Sequence, residues 1–297
     1  MYLGPKRLFV FGLGYTAEAL LRQLTREGWE VAGTTRDRNR APALEALGAR
    51  CFPFDRGHPL DEPLRTIGQA SHILVTIPPD AEGDIAFDLH GGDIVRANDL
   101  AWLGYLSTTG VYGNTDGAEV DEDSPLRPSS PRAQRRVDAE QNWLSLRRER
   151  LVPVHIFRLP GIYGPGRSVL DQIREGKAKR IDKPDHHFSR IHVDDIAGVL
   201  KASMQAPDPG SIYNVVDDEP APPALVTYQA CQMLSMRPPP LIPFEQAKTR
   251  MSDMALSFWN DNRCVSNAKI KRDLGYKLRY PTFREGLAAI VKAERGG

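Results

Sequence analysis

A glycine-rich turn near the N-terminus constrains the fold of this chain more than any other feature. Leu8–Phe11 is a continuous apolar run, which is typical of a strand buried on both faces of a parallel sheet. The six residues from Gly12 to Ala17 follow the pattern G-x-G-x-x-A. An apolar stripe then predicts a helix that ends at Gly28, and a second strand follows at Glu30–Thr34. The sequence therefore predicts a β-α-β unit.

The small residues of this turn predict a dinucleotide site. Gly12 permits the tight turn, Gly14 lets the backbone approach a pyrophosphate, and Ala17 keeps the helix close to the strand. Tyr15 and Thr16 occupy the first turn of the helix, where unpaired N–H groups and the helix dipole favour an anion. Glycine turns also follow strands in proteins without a cofactor, so an ordinary strand-to-helix turn is the alternative.

The residues after the second strand indicate which dinucleotide binds. An NAD site usually places an acidic residue on the ribose hydroxyl here, whereas this chain has arginine. The guanidinium of Arg36, helped by Thr35 or Arg38, can pair with a 2′-phosphate, so we expect NADP in preference to NAD. The alternative is a solvated basic loop. A third strand, Cys51–Phe54, ends at Asp55, which lies near the adenine amino group or in a plain turn.

Strand and helix patterns alternate along the rest of the chain. They predict an α/β fold, a Rossmann-type doubly wound parallel sheet with a smaller C-terminal substrate-binding part. We expect residues 1–165 to form the dinucleotide-binding domain, with 190–216 returning to it, and residues 166–189 and 217–297 to form the smaller part. The acidic segment Asp80–Leu100 contains three glycines, which predicts a short or irregular helix.

The remaining elements are predicted from periodicity and from proline and glycine positions. Further strands are expected at His72–Ile77, Trp102–Leu106, Val154–Arg158 and Ser211–Val216. Helices are expected at Arg132–Arg150, near Ala224–Leu234, Glu245–Phe258, Asn267–Leu274 and Thr282–Glu294, and one helix is expected to start with Asp194 as its cap. Residues near the ends of three strands complete the predicted cofactor site: Ile77, Pro78, Ser107 and Leu159.

Composition narrows the class of partner. The 297 residues include 39 basic and 38 acidic side chains, so no net field favours nucleic acid or an anionic membrane. Three cysteines, far apart in sequence, indicate neither a zinc site nor a disulfide framework, which suits a reducing cytoplasm. The chain has no apolar run long enough for a membrane span and no secretory leader pattern. We expect a cytoplasmic protein that binds small molecules, without a metal.

Several later motifs resemble those of a known superfamily. The sequence STTGVYG follows the fifth strand, RLPGIYGPGR includes the end of the sixth, and RIHVDDIA and YNVVDDEP come after them. Together with the first glycine motif, they resemble the extended and atypical short-chain dehydrogenase/reductase proteins, the NAD(P)-dependent epimerase/dehydratase group. The resemblance extends nearly end to end and is closest to the nucleoside-diphosphate-sugar epimerase-like subgroup. It implies hydride transfer between a nicotinamide and a carbon that bears oxygen.

The sequence departs from this family where the chemistry is expected. The family's Ser or Thr that hydrogen-bonds the substrate oxygen falls on Thr108. Its Tyr-x-x-x-Lys pair, which exchanges the proton and holds the ribose, falls on Arg132 and Arg136. Arginine has a pKa above about 12, so Arg132 cannot act as a general acid or base near neutral pH. Arg136 could keep the lysine's role at the ribose, or both arginines could lie on an exposed helix face.

Other titratable side chains near the expected cleft could supply a proton: Tyr112, Tyr163, His186, His187 and His192. Tyr163 is the second catalytic candidate after Thr108. For each of these groups the alternative is a structural role, because the family uses the two tyrosine rings largely for packing and His192 lies in a predicted strand.

Two functions fit this sequence. The first is an NAD(P)-dependent oxidoreductase or epimerase/dehydratase that acts on a small carbonyl or hydroxyl substrate. A nucleotide sugar is one option, although Gly161 replaces the Asn that nucleotide-sugar enzymes often carry there. The second is a non-catalytic NADP-binding sensor or regulatory protein. We favour a monomer over a homodimer, because the helices after the fourth and fifth strands lack a convincing apolar face for the family's dimer bundle.

Overall fold

A parallel sheet forms the centre of the computed structural model, which describes residues 6–296 apart from the side chains of Asp253 and Met254. The strands of the described part are β1 (Arg7–Phe11), β2 (Glu30–Thr35), β3 (Ala49–Pro53), β4 (His72–Val75), β5 (Trp102–Thr108), β6 (Glu119–Val120), β7 (Val154–Leu159), β8 (Gly161–Tyr163), β9 (Arg180–Asp182), β10 (Arg190–His192), β11 (Ile212–Asn214), β12 (Leu241–Pro243) and β13 (Cys264–Val265). Seven of them form the main sheet in the order β11-β7-β5-β4-β1-β2-β3.

Every neighbouring pair in this sheet is parallel. The chain starts in the middle of the sheet and builds outward first through β2 and β3, then in the other direction through β4 and β5. The strand order therefore reverses between β1 and β4. In open α/β sheets, ligands bind outside the carboxyl ends of the strands at such a reversal. The predicted doubly wound parallel sheet is confirmed, and it places the glycine turn at this point.

Helices cover both faces of the sheet. Those of the described part are α1 (Tyr15–Leu24), α2 (Ala41–Ala46), α3 (Pro63–Thr66), α4 (Ile85–Val95), α5 (Pro131–Arg150), α6 (Val169–Arg174), α7 (Val193–Gln205), α8 (Pro223–Met233), α9 (Phe244–Lys248), α10 (Asp253–Asn260), α11 (Ala268–Asp273) and α12 (Phe283–Arg295). Within residues 6–296, no helix is both long and apolar enough to cross a bilayer.

Alternate residues of β1 enter two separate cores. Leu8 and Val10 pack in one core with residues of α1, α7 and α11, while Phe9 and Phe11 pack in the other with residues of α4 and α5. This alternation follows from the two-residue period of a strand, and both sets are buried because helices cover both faces. The continuous apolar run in the sequence therefore corresponds to a central strand.

A third core lies outside the sheet and joins α6, α8 and α12 around Phe283 and Leu287. Two short parallel pairs, β8 with β10 and β9 with β12, accompany it. The segment 268–273, which we expected in the smaller part, instead contributes Ile270 to a core of the main sheet. The C-terminal region is thus divided between the two parts.

Three local predictions were wrong in detail. Ile85–Val95 is a regular helix despite Gly91 and Gly92, because Asp84 accepts hydrogen bonds from the N–H groups of Ala86 and Phe87 and so caps its first turn.

The helix α7 is capped by His192, whose ring accepts from the N–H of Asp194, and not by Asp194 itself. The helix expected at Glu245–Phe258 is divided into α9 and α10, with Ser252 capping the second. Such polar caps compete with helix continuation, because their side chains bond nearby backbone groups.

Candidate functional site

The glycine turn after β1 is held from both neighbouring strands. The N–H of Gly12 donates to Thr34 Oγ1 at 2.9 Å, and Thr76 Oγ1 donates to the Gly12 carbonyl at 2.5 Å. Gly12 has a φ of +98°, and a Cβ there would lie 2.7 Å from both Thr76 Oγ1 and Ile77 Cγ1. Only glycine fits this conformation and this space. The half-buried Ile77 therefore packs against the turn.

Gly14 differs from Gly12 in its surroundings. A Cβ on Gly14 would have no atom within 4 Å, apart from its chain neighbours and its own helix. Gly14 is the N-cap residue of α1 and has no side chain to bond the first N–H groups. Thr16 and Ala17 in that first turn are buried. The turn thus presents open space at a positive helix end, which is the arrangement that binds a pyrophosphate.

The residues after β2 surround the position where the adenosine ribose would lie. Thr35 is buried, and its hydroxyl donates to the Asp37 carbonyl at 3.2 Å. Arg36 is exposed, and across residues 6–296 its guanidinium makes no hydrogen bond or ion pair. The carboxylate of Asp37 accepts from the N–H of Asn39. The cation at this position is available to a ligand, whereas the nearby carboxylate has a local partner.

Asp55, the predicted adenine contact, bonds within its own turn. Its Oδ1 accepts from the Gly57 N–H at 2.8 Å and contacts His58 Nδ1 at 2.9 Å, and the bond from His58 lowers the pKa of the Asp55 carboxyl. The structure thus favours the turn alternative for Asp55. On the other side of the site, Pro78 is exposed and Leu159 is buried at the end of β7, opposite Thr108 of β5.

Ser107 and Thr108, at the end of β5, point in different directions. Ser107 is buried, and its hydroxyl donates to Glu140 Oε1 at 2.5 Å. Thr108 is half-buried, and its Oγ1 accepts from the Gly110 N–H at 3.1 Å. That bond uses a lone pair and leaves the hydroxyl proton free. Thr108 can therefore donate to a substrate oxygen, whereas the hydroxyl of Ser107 is already committed.

A buried charge network lies behind this turn. Glu140 of α5 and Arg158 of β7 are each 2% exposed and form an ion pair at 2.8 Å. Arg158 also donates to the Tyr112 hydroxyl at 2.8 Å, and that hydroxyl donates to Asn214 Oδ1 at 2.7 Å. Burial raises the pKa of Tyr112. Tyr112 is thus a structural member of the network, in agreement with the alternative stated for it.

The two arginines at the Tyr and Lys positions of the family have different surroundings. Arg132 is exposed in the first turn of α5. Arg136 is half-buried, and its Nη1 donates to the Leu106 carbonyl at 2.6 Å and to the Tyr105 hydroxyl at 3.1 Å. The guanidinium of Arg136 therefore fixes the end of β5, which leaves fewer of its donors for a ribose.

The other titratable candidates lie mainly in packed regions. Tyr163 is buried in the core of α6, α8 and α12, where burial raises the pKa of its hydroxyl. A Cβ on Gly286 would overlap the Tyr163 ring, so α12 packs directly on it. This position does not favour the catalytic role predicted for Tyr163.

Two of the three histidine candidates are also buried. Burial lowers the pKa of His186 and of His192 to about 4 in each case. His192 caps α7, while the ring of His186 stacks on Trp259. His187 is half-buried, and its backbone N–H donates to Asn262 Oδ1. Both buried rings are neutral in the folded protein at neutral pH.

The sequence did not point to Arg263, which contacts the turn after β5. It lies 150 residues after Gly113, its partner in that turn. Its Nη1 donates to the Gly113 carbonyl at 2.8 Å and to Asp261 Oδ2 at 3.0 Å. Arg263 Nη2 and Thr108 Oγ1 both lie within 4 Å of the point where a Cβ on Gly110 would stand. No local pattern distinguishes Arg263 from the other basic residues of the sequence, so only the fold identifies it.

Comparisons with known proteins agree with this arrangement. The sequence profile of the NAD dependent epimerase/dehydratase family matches residues 93–216. A solved protein of unknown function from Silicibacter pomeroyi is 43% identical, with a TM-score of 0.88, and the match covers 97% of this chain and 99% of that one.

Two curated relatives match over nearly their whole length. Protein YeeZ of Escherichia coli strain K12 is 26% identical over 289 residues, 93% of this chain and 97% of the relative. A 3-diazoavenalumate denitrifying reductase from a Streptomyces species is 27% identical over 310 residues, 95% of this chain and 99% of the relative. With the glycine turn at the reversal of a parallel sheet and Thr108 at the end of β5, the profile match shows that residues 93–216 of this chain are similar to the NAD dependent epimerase/dehydratase family.

Proposed function

We propose that this protein is an NADP-dependent oxidoreductase that acts on a carbon–oxygen group of a small anionic substrate. The observation that carries the proposal is the pairing of an open glycine turn with an exposed, unpaired arginine after β2. We infer a nicotinamide dinucleotide as the cofactor, because the family whose profile matches is NAD dependent. The residues of this chain decide which form of it binds and what can be reduced or oxidised beside it.

The preference for NADP rests on the charges around the end of β2. Arg36 and Arg38 are exposed, and neither forms an ion pair within the part of the chain that the structure describes. A guanidinium can give a 2′-phosphate two parallel hydrogen bonds. Asp37 is the acidic residue between them, and its carboxylate bonds the Asn39 N–H. The site therefore has an unpaired cation, whereas one oxygen of its nearby carboxylate already accepts a backbone hydrogen bond.

The expected chemistry follows from the end of β5. When bound, the nicotinamide exchanges a hydride with a carbon of the substrate. The Thr108 hydroxyl donates a hydrogen bond to the oxygen on that carbon, and so stabilises the negative charge that develops there on reduction. Water then supplies the proton that this oxygen takes up. Arg263, beside Thr108, has Nη2 available and is 18% exposed, which suits a carboxylate or phosphate of the substrate. This combination supports a small anionic carbonyl or alcohol as the substrate.

Replacing Arg36 with Asp tests the cofactor. We expect the binding free energy of NADPH to weaken by about 1.5–3 kcal/mol, because a charge-assisted pair is lost and a like charge is added. The affinity for NADH should change little. Both affinities are measured by titrating cofactor fluorescence, with the exposed Arg26→Asp as a matched control. Equal weakening of NADPH and NADH would show that Arg36 does not contact the 2′-phosphate.

Replacing Thr108 with Ala tests the chemistry. With a panel of carbonyl compounds that do or do not carry a carboxylate or phosphate, we expect NADPH oxidation only with anionic members. In T108A, kcat should fall about a hundredfold or more, since one oxyanion donor is lost. NADPH affinity should be unchanged. T108S, which keeps the hydroxyl, should recover most of the activity.

The arrangement of Arg132 and Arg136 supports a second candidate, the NADP-binding sensor. One arginine is exposed and the other bonds the end of β5, so neither takes over the proton exchange of the family's tyrosine. Tight NADPH binding without turnover of any panel member, and unchanged by T108A, would favour the sensor. Turnover that T108A abolishes would exclude it.

A further inference from the structure

A tight turn between β8 and α6 rests on the first residue of α1. Gly164 and Arg167 exchange two backbone hydrogen bonds of 3.1 and 3.0 Å, with Pro165 and Gly166 between them and Gly166 at a φ of +69°. Proline followed by a glycine of positive φ is typical of a type II turn, which is a rigid connection. We call residues 164–167 the GPGR turn.

Tyr15 holds this turn close to the cofactor motif. Its hydroxyl donates to the Pro165 carbonyl at 3.1 Å. Burial raises the pKa of Tyr15 to about 12, so the hydroxyl stays protonated and remains a donor at neutral pH. A Cβ on Gly164 would lie 2.5 Å from the same hydroxyl. The two segments therefore touch closely, although Tyr15 and Pro165 are 150 residues apart in the sequence.

The GPGR turn also places a cation over Tyr15. The guanidinium carbon of Arg167 lies 5.4 Å from the centre of the Tyr15 ring. Arg167 is exposed, and within residues 6–296 no carboxylate lies within ion-pair distance of it. A cation–π contact fixes the position of the guanidinium without neutralising its charge. Its N–H donors remain available to an anion.

The carboxylates around Tyr15 already have partners. Glu18 pairs with Arg22 and Arg40, at 2.7 and 3.0 Å. Asp171 accepts from the N–H and hydroxyl of Ser168, and Asp194 lies 3.5 Å from Arg279. Arg167 thus has no competing intramolecular acceptor at the N-terminus of α1.

We propose that Arg167 binds the diphosphate of the dinucleotide, and that the contact between Tyr15 and Pro165 is a clasp that slows release of the bound cofactor. The inference rests on the proposed cofactor function. The open space at Gly14 and the N–H groups of α1 attract the diphosphate from one side. Arg167 supplies a charge from the GPGR turn, which lies in a different part of the chain. The clasp joins the two.

The test compares ligands that do and do not contain a diphosphate. For R167Q, we expect the affinities for NADPH, NADH and ADP-ribose to fall about fivefold to tenfold, the scale of one charge-assisted contact to an anion. The affinity for adenosine 2′-monophosphate should stay within about twofold, since it lacks the diphosphate. R174Q is the control, because Arg174 of α6 is comparably placed on the surface and pairs with Glu294. R36D should instead weaken the binding of NADPH and adenosine 2′-monophosphate, and leave the affinities for NADH and ADP-ribose within about twofold.

The clasp itself is tested by Y15F, which keeps the ring and removes the hydroxyl. We expect NADPH to dissociate about threefold faster in stopped-flow displacement, the effect of one neutral hydrogen bond, while the melting temperature changes little. R167Q at wild-type affinity for all diphosphate ligands, or equally weakened for adenosine 2′-monophosphate, would overturn the role of Arg167. An unchanged dissociation rate in Y15F would overturn the clasp. Wild-type protein that binds no dinucleotide would instead overturn the proposed function.

Discussion

The turns after β1 and β5 both lie at the carboxyl edge of the sheet, but they are built by opposite means. The turn after β1 consists of glycines packed against Thr34, Thr76 and Ile77, and it leaves open space at Gly14. The turn after β5 rests on a buried network of charged and polar side chains, with Ser107 bonded to Glu140. The first turn is shaped by the absence of side chains, and the second by side chains that already bond one another.

Because of this difference, the turn after β1 suits ligand binding, whereas the turn after β5 leaves few groups for catalysis. A turn without side chains can accept a ligand as it stands, because nothing has to move. At the β5 turn most polar groups already bond one another, and among the residues named there the hydroxyl of Thr108 and one arm of Arg263 remain. The proposed cofactor site after β1 is therefore open without rearrangement, and the proposed reaction site after β5 has few uncommitted donors.

The largest expected effect breaks the network under the β5 turn. Glu140→Ala leaves Arg158 buried and unpaired, which should lower the free energy of unfolding by about 3–5 kcal/mol. The measurement is equilibrium unfolding in urea. E140Q keeps the shape of the side chain and should lose less.

Glu18→Ala is the control, because the pairs of Glu18 with Arg22 and Arg40 lie at the surface and are worth about 1 kcal/mol or less. If E140A lost no more stability than E18A, the β5 turn would not depend on the buried ion pair. The contrast between the two turns would then fail.

The next effect concerns the two glycines of the β1 turn. Gly12→Ala should lower the free energy of unfolding by about 2–3 kcal/mol, because a positive φ and two contacts of 2.7 Å both oppose a Cβ. Gly14→Ala should change stability by less than about 1 kcal/mol, since the Cβ enters open space at a φ of −91°.

Binding should separate these two variants further. G14A should bind NADPH at least about tenfold more weakly, because its Cβ takes space that the diphosphate needs. Fluorescence titration of the folded variant measures this. Wild-type affinity in G14A would mean that the open space at Gly14 is not where the diphosphate lies.

Periodicity and turn chemistry predicted most of the main sheet. Leu8–Phe11 and Val154–Arg158 lie within observed strands, and Gly28 ends the first helical segment with a φ of +77°. The helix α4 was harder to predict, because its two glycines are poor helix formers. The cap at Asp84 and the burial of Ile85 and Ile94 on the sheet outweigh that preference.

The candidate site could be predicted only in part. The glycine motif and Arg36 are local in sequence, so their places follow from β1, β2 and α1. Arg136 lies where the family motif predicts it, yet its side chain bonds the carbonyl of Leu106. Tyr163 belongs to a recognisable motif, but α12 packs over it from the other end of the chain. The hydrogen bonds and packing contacts of a side chain depend on distant partners, which no local sequence pattern specifies.

The sequence by itself determined the β-α-β start, the parallel sheet, the family resemblance and the replacement of the family's Tyr and Lys by arginines. Backbone geometry and alternating burial are local properties, so short segments of the sequence are enough to predict them. Only the tertiary structure decided that Arg263 bonds Gly113, that Arg167 lies over Tyr15 and that Ser107 bonds Glu140. These contacts join residues 33 to about 152 positions apart, and packing across the whole molecule brings them together.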